Sequence, residues 1–252
     1  MAAIFRSKAS KDAWLSSAHP EQNLGGKRPG TPGMGFGQKS PVAGGQVSYP
    51  VLILDVNGGS FAPKDSLVLG GFDLSAAPAS VASARLRLFV NFAGAPRERV
   101  TLLVHPLARD WDENAISYLD VYSGRSPGAD FTDLVAGQPV QGSFDVASNS
   151  ADDFTRLPCA NAPGWVEIDV LPIVRSWIAD PQSAFGLLVE PPWWDDARHT
   201  ALSPIGRKAN LGRLEIAPSE WASWDGQPPG EGFLPIRLEA AARELGPEIV
   251  LD

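Results

Sequence analysis

The stretch ASARLRLFVNF (82–92) alternates. Ala84, Leu86, Leu88 and Val90 fall on one side, and Arg85, Arg87 and Phe89 on the other. A period of two is the mark of a strand with one face in a core. Strand-length apolar runs recur along the chain: YPVLILDV (49–56), DSLVLGGFDLS (65–75), RVTLLVHPLA (99–108), WVEIDV (165–170), FGLLVEP (185–191) and GRLEIAP (212–218). None approaches the roughly 18 residues of a membrane-spanning helix. Many short strands separated by turn residues predict an all-β chain, an antiparallel β-sandwich of jelly-roll type with one or two short helices and long Gly/Pro loops. The 25 glycines and 23 prolines supply the turns.

The connection APRE (95–98) is short, so 82–92 and 99–108 read as one antiparallel hairpin. After WVEIDV the period changes. Ile173, Val174, Trp177 and Ile178 are spaced as one face of a short helix, with Pro172 in its first turn. A second short helix is expected at about 235–245, ended by Gly246 and Pro247. The predicted organisation is one sandwich over 1–217, with a long N-terminal loop (23–48). A C-terminal extension, 218–252, would serve docking or assembly.

The formal charge of −8 makes the chain a poor partner for nucleic acid or an anionic membrane face. Neither nucleic-acid binding nor membrane insertion is expected. The single cysteine, Cys159, rules out an internal disulfide. The N-terminus MAAIFRSKASKDAW has no apolar core of a secretory signal. Localisation is left open, with a virion or other assembled particle favoured over a free secreted protein.

The segment HPLARDWDENAISYLDVYSG (105–124) carries Asp110, Trp111, Asp112 and Glu113 together. A glycosidase site, a calcium site and a structural cluster all use such residues. Catalytic carboxylates stand ~5–5.5 Å apart for retention or ~6.5–9.5 Å for inversion. Neighbours on a strand point to opposite faces, so Asp112 and Glu113 do not make such a pair. Asp110 and Asp112 would share a face, but like charges that close merely raise one pKa. The favoured reading is structural: Trp111 fills the sandwich core, and Glu113 accepts from backbone N–H groups or an arginine. Trp165, Asp169 and Trp177 are placed in the same structural set. No catalytic residue is assigned.

His19, His105 and His199 are far apart and lack cysteine partners at ligand spacing, so no metal site is assigned. NSADDFTR (149–156) and WWDDARH (193–199) have loop carboxylates but no regular calcium-loop spacing. No cofactor is expected; Ca²⁺ stays possible without a motif behind it. Trp193, Trp194, Asp195 and Asp196 are candidates for a ligand site, because sugars stack on aromatic faces and are oriented by nearby polar groups. The alternative is that these tryptophans anchor loops or a subunit interface. Trp221, Trp224, Ile236, Leu238 and Leu245 are candidate assembly residues. Nucleophile-elbow and phosphate-loop motifs are absent.

The stretches KDAWLSSAHPEQNLG, DSLVLGGFDLSAAPASVASARLRLFV, HPLARDWDENAISY and GWVEIDVLPIVRSWIADPQSAFGLLV follow one another across roughly residues 10–217. In this order they resemble the DNRLRE, or disaggregatase-related, family of β-sandwich domains. The resemblance implies a sandwich similar to carbohydrate-binding modules for acidic polysaccharides such as alginate. The chain is therefore expected to be a non-catalytic structural or binding protein. It would be a subunit or decoration component of a larger extracellular or virion assembly. Its expected partners are other protein subunits, as a homo-oligomer or larger particle, with polysaccharide possible. The alternatives are a stand-alone carbohydrate-binding module or a polysaccharide-degrading enzyme.

Overall fold

The computed structural model describes residues 4–17, 20–21, 23, 52–55, 65–94, 99–125, 129–145, 164–191, 213–216 and 246–252. These form two antiparallel sheets. The first contains β1 (Phe5–Lys8), β3 (Leu52–Asp55), β5 (Ala84–Gly94), β8 (Gly164–Asp169), β10 (Arg213–Ile216) and β11 (Glu248–Leu251). The second runs β2 (Lys11–Ser16), β4 (Asp65–Gly70), β9 (Leu187–Glu190), β6 (Arg99–Pro106), β7 (Val140–Asp145). Two helices accompany them, α1 (Tyr118–Val121) and α2 (Leu171–Ala179). The chain is thus an all-β sandwich.

The register explains the shape of the first sheet. Strand β5, 11 residues long, is its spine. Val90 faces Gly164 of β8 on one side and Ile216 of β10 on the other. Arg87 faces Glu167 of β8 and Glu248 of β11. Strands β10 and β11 therefore lie end to end along the same edge of β5. The next file repeats the pattern, with β3 paired to β10 and β1 to β11.

The inner faces meet in a core of alternating aliphatics. Leu86 and Leu88 of β5 and Ile249 and Leu251 of β11 come from one sheet; Leu67 and Leu69 of β4 and Leu187 and Val189 of β9 come from the other. Each is almost fully buried, which stabilises by about 1.5–3 kcal/mol per side chain relative to exposure. Helix α2 extends this core with Ile173, Val174 and Trp177, and Trp177 stacks on Phe72 at 6.3 Å. Asp169 Oδ1 accepts the Leu171 N–H at 2.9 Å, which satisfies one of the orphan donors where strand turns into helix.

A second apolar cluster lies on the outer side of the β2–β4–β9–β6 sheet. Ala13, Leu15, Val68 and Leu188 project there, opposite to their inward-facing neighbours. The segment 107–135, with α1, covers them through Leu107, Trp111, Ile116, Tyr118, Val121, Tyr122 and Leu134. This sheet is therefore covered on both faces, which explains why DSLVLG is buried at all six positions.

Four expectations are corrected. Strands β5 and β6 do not form a hairpin: they belong to different sheets. Residues 246–252 are not an appendage, because β11 inserts between β1 and β5 and is buried at every position. The boundary at 217 therefore does not hold for them. Trp111 is buried in the outer cluster rather than between the sheets. Asp112 and Glu113 lie at a turn rather than on a strand. The helix expected at 235–245 falls outside the described residues.

Candidate functional site

The acidic cluster sits where 110–118 meets the edge of β2. Asp112 Oδ1 accepts the Asn114 N–H at 2.8 Å, and its carbonyl accepts from Ala115 and Ile116, closing a tight turn. That turn aims Glu113 at β2, where its Oε1 accepts the Asp12 N–H at 2.8 Å. Lys11 Nζ contacts Asp110 Oδ1 and donates to the Trp111 carbonyl, both at 2.6 Å, and lies 4.5 Å from the Trp111 ring centroid. Asn23 Nδ2 donates to the carbonyls of Glu113 and Ile116 at 2.9 and 2.7 Å.

The electrostatics follow the contacts. The bond from Lys11 holds the Asp110 carboxyl below its ordinary value. Partial burial pushes Glu113 up, only partly offset by the Asp12 N–H and the Lys11 charge. Trp111 closes the set by donating its Nε1–H to the Phe185 carbonyl at 3.2 Å. Asp110, Glu113 and Trp111 thus join two chain segments.

A second polar cluster is buried beneath the 107–135 cover. His105 on β6 and Glu190 on β9 both project from the outer face of their sheet, and His105 Nε2 lies 3.2 Å from Glu190 Oε1. Tyr122 at the end of α1 donates its hydroxyl to Glu190 Oε2 at 2.7 Å. Burial, then the Glu190 charge, drive the Tyr122 phenol well above its ordinary value. Tyr118 stacks on Tyr122 at 4.3 Å, and Phe131 meets the His105 ring edge-on at 4.8 Å. His105, Glu190 and Tyr122 are 3 % exposed or less, so the cluster pins the cover to the sheet instead of facing a ligand.

The outer face of the other sheet is charged. Arg87 lies 2.5 Å from Glu248 and 3.1 Å from Glu167, and its guanidinium stacks on Trp165 at 4.3 Å. Phe89 meets the same indole edge-on at 5.5 Å. Arg85 pairs with Glu167 and Asp252 at 3.2 and 3.5 Å. The strand register puts these opposite charges side by side.

Of the residues singled out from sequence, Trp111 and Glu113 come together in the β2 latch. Trp165 lies on the charged outer face, Asp169 caps α2, and Trp177 is in the main core. Trp193, Trp194, Asp195, Asp196, Trp221, Trp224, Ile236, Leu238 and Leu245 lie outside the described residues. The His105–Glu190–Tyr122 cluster was not foreseen. Its one visible sign is Glu190, a carboxylate closing the apolar run LLVE. Among the described residues no cluster of His, Cys, Asp or Glu has a metal-holding arrangement, and no helix is long and apolar enough to cross a membrane. No family model matches the chain, and no curated protein matches it.

Proposed function

We propose that the chain is a non-catalytic sandwich scaffold that works as a subunit or decoration component of a larger extracellular or virion assembly. The observation that carries this reading is the use made of the acidic cluster. Glu113 and Asp110, the natural candidates for chemistry, are engaged by Asp12 and Lys11 across two chain segments. Catalysis needs an acid and a base converging on an open cleft; here the carboxylates fasten a sheet edge.

The strand orders support a jelly-roll assignment. With β1, β11 and β2 set aside, one sheet reads β3-β10-β5-β8 and the other β4-β9-β6-β7. This interleaving is what two nested Greek keys produce. The DNRLRE resemblance carries the second reading, a module that grips acidic polysaccharide through Trp193 and Trp194.

Light scattering of the purified chain tests the first reading: a homo-oligomer or larger particle is expected, and a monomer at every concentration would retire it. Retention on immobilised alginate, lost in Trp193→Ala, tests the second. No retention on acidic or neutral polysaccharide removes it.

A further inference from the structure

Strand β11 occupies a place that its neighbour in sequence could have filled. Ile216 ends β10 opposite Val90, and Glu248 starts β11 opposite Arg87. That gap is three steps along β5, about 10 Å, and two residues would bridge it. The chain instead uses residues 217–247, which extended reach ~100 Å.

Of the two walls beside β11, β5 has other strand partners, while β1 pairs with β11 among the described strands and is tied to the body through β2. Strand β5 is held by β8 and β10. Strand β1 runs through only Ala9 and Ser10 into β2, and the Ser10 N–H donates to the Gly70 carbonyl of β4 at 3.0 Å. The channel between β1 and β5 is therefore bounded by β5, which β8 and β10 hold, and by β1, which is anchored through β2. What fills it is a short strand: Ile249 and Leu251 point into the core, Glu248 lies between Arg6 and Arg87, and both backbone edges are paired.

We propose that this channel is a strand-acceptor site and that two copies of the chain exchange β11 through it. Every contact β11 makes in its own chain is reproduced in a second copy, so the two arrangements differ mainly in the concentration of the strand. Being joined in sequence gives a chain's own strand an effective concentration on the order of 1 mM. Exchange grows as the chain approaches that concentration, or when copies are packed in a particle. The inference names a partner for the assembly proposed above, although the strand register carries it without that reading.

The test uses Arg6 and Val250, which face each other across β1 and β11. In a Cys159→Ser background, Arg6→Cys and Val250→Cys are placed in one chain and oxidised with glutathione disulfide. Exchange predicts disulfide-linked dimers rising from about 2 % of the chain at 0.01 mM to about half at 1 mM. Disulfides within single chains at every concentration overturn it. Replacing 217–247 by two residues fuses β10 to β11, and that variant is expected to stay monomeric. Dimers from it would show that the crosslink does not report exchange, and would also overturn the proposal. Should the double variant not fold, light scattering of the unmodified chain against the fused one after incubation at 1 mM makes the same comparison. Oligomers with only within-chain disulfides would sink the exchange and leave the assembly reading standing.

Discussion

Glu113 and Asp12 are 101 positions apart and share one hydrogen bond: Glu113 Oε1 accepts the Asp12 N–H at 2.8 Å. Strand β2 is the edge of its sheet. The outward N–H row of an edge strand is a template for unwanted pairing unless something covers it. The 110–116 turn is that cover, and Lys11 and Asn23 fasten it from the other side. The residues most suggestive of an active site thus close an edge.

Removing this acceptor is expected to loosen the edge. Glu113→Ala leaves the Asp12 N–H without its partner and should cost about 1–3 kcal/mol, seen as a drop in melting temperature of about 2–4 °C for each kcal/mol. Glu113→Gln keeps an acceptor and should cost less. The carboxyl is pushed above 4.5 by burial, so the folded state holds its proton more tightly than the unfolded one. Wild-type stability relative to Glu113→Gln should therefore rise as pH falls through the raised value toward 4.5, then level off. The opposite slope in denaturant titrations across that window would show that the N–H bond outweighs burial.

The buried network predicts its own response. Tyr122→Phe removes the hydroxyl donor to Glu190 Oε2 inside a fully buried network, at a cost of about 1–3 kcal/mol. In alkali the unfolded phenol ionises near 10, whereas the folded one keeps its proton well above that. Stability should fall as pH rises past 10. Ultraviolet difference absorption should show Tyr122 ionising only together with loss of the fold. A phenol signal for Tyr122 near 10 in the folded protein would contradict the burial.

What the sequence made legible follows from which physical signals are local. The alternation in 82–92 and the switch of period at Pro172 are properties of neighbouring residues, and β5, β8 and α2 appear where those patterns stand. Pairing is not local: β5 and β6 alternate equally well, yet they face each other across the core. Strand β11 is only four residues behind a Gly-Pro pair, too short for periodicity to speak. Strand β7 is polar with a glycine, VQGSFD, because Gly142 must admit Ile168 from the facing sheet. The latch at Glu113 was half legible. A carboxylate seeking N–H groups was foreseeable, but its donor, in β2, was not. His105, Tyr122 and Glu190 gather only once two strands and the cover are in place.

Gly186 tests how closely the cover approaches. Its φ of +133° lies where other residues are strained, and an added Cβ would stand 2.3 Å from the Leu69 carbonyl oxygen and 3.2 Å from Trp111 Nε1. The carbonyl belongs to β4 and has no room to retreat. Gly186→Ala should destabilise by at least about 2–3 kcal/mol and disturb the Trp111 signal in near-ultraviolet circular dichroism. A variant as stable as the parent would mean that the strand ends separate more easily than the packing implies.

Arg87 and Glu248 should prove the most strongly coupled pair on the charged face. The Glu248 side chain is 2 % exposed and that of Arg87 15 %, whereas Arg85 and Glu167 are 46 % and 40 % exposed. Water and salt screen the second pair well and the first poorly. Arg87→Met leaves Glu248 buried with Arg6, at 3.5 Å, as its ion-pair partner among the described residues, and losing one partner of a buried pair costs about 3–5 kcal/mol. Adding Glu248→Gln removes the stranded charge and should recover part of that loss, giving a clear interaction energy in a double-mutant cycle. Urea titrations at low and high salt should show this coupling little changed, while the Arg85–Glu167 coupling is small and fades with salt. Near-zero coupling between Arg87 and Glu248 would mean that their ion pair adds nothing to what the backbone ladders and Ile249 and Leu251 contribute to holding β11.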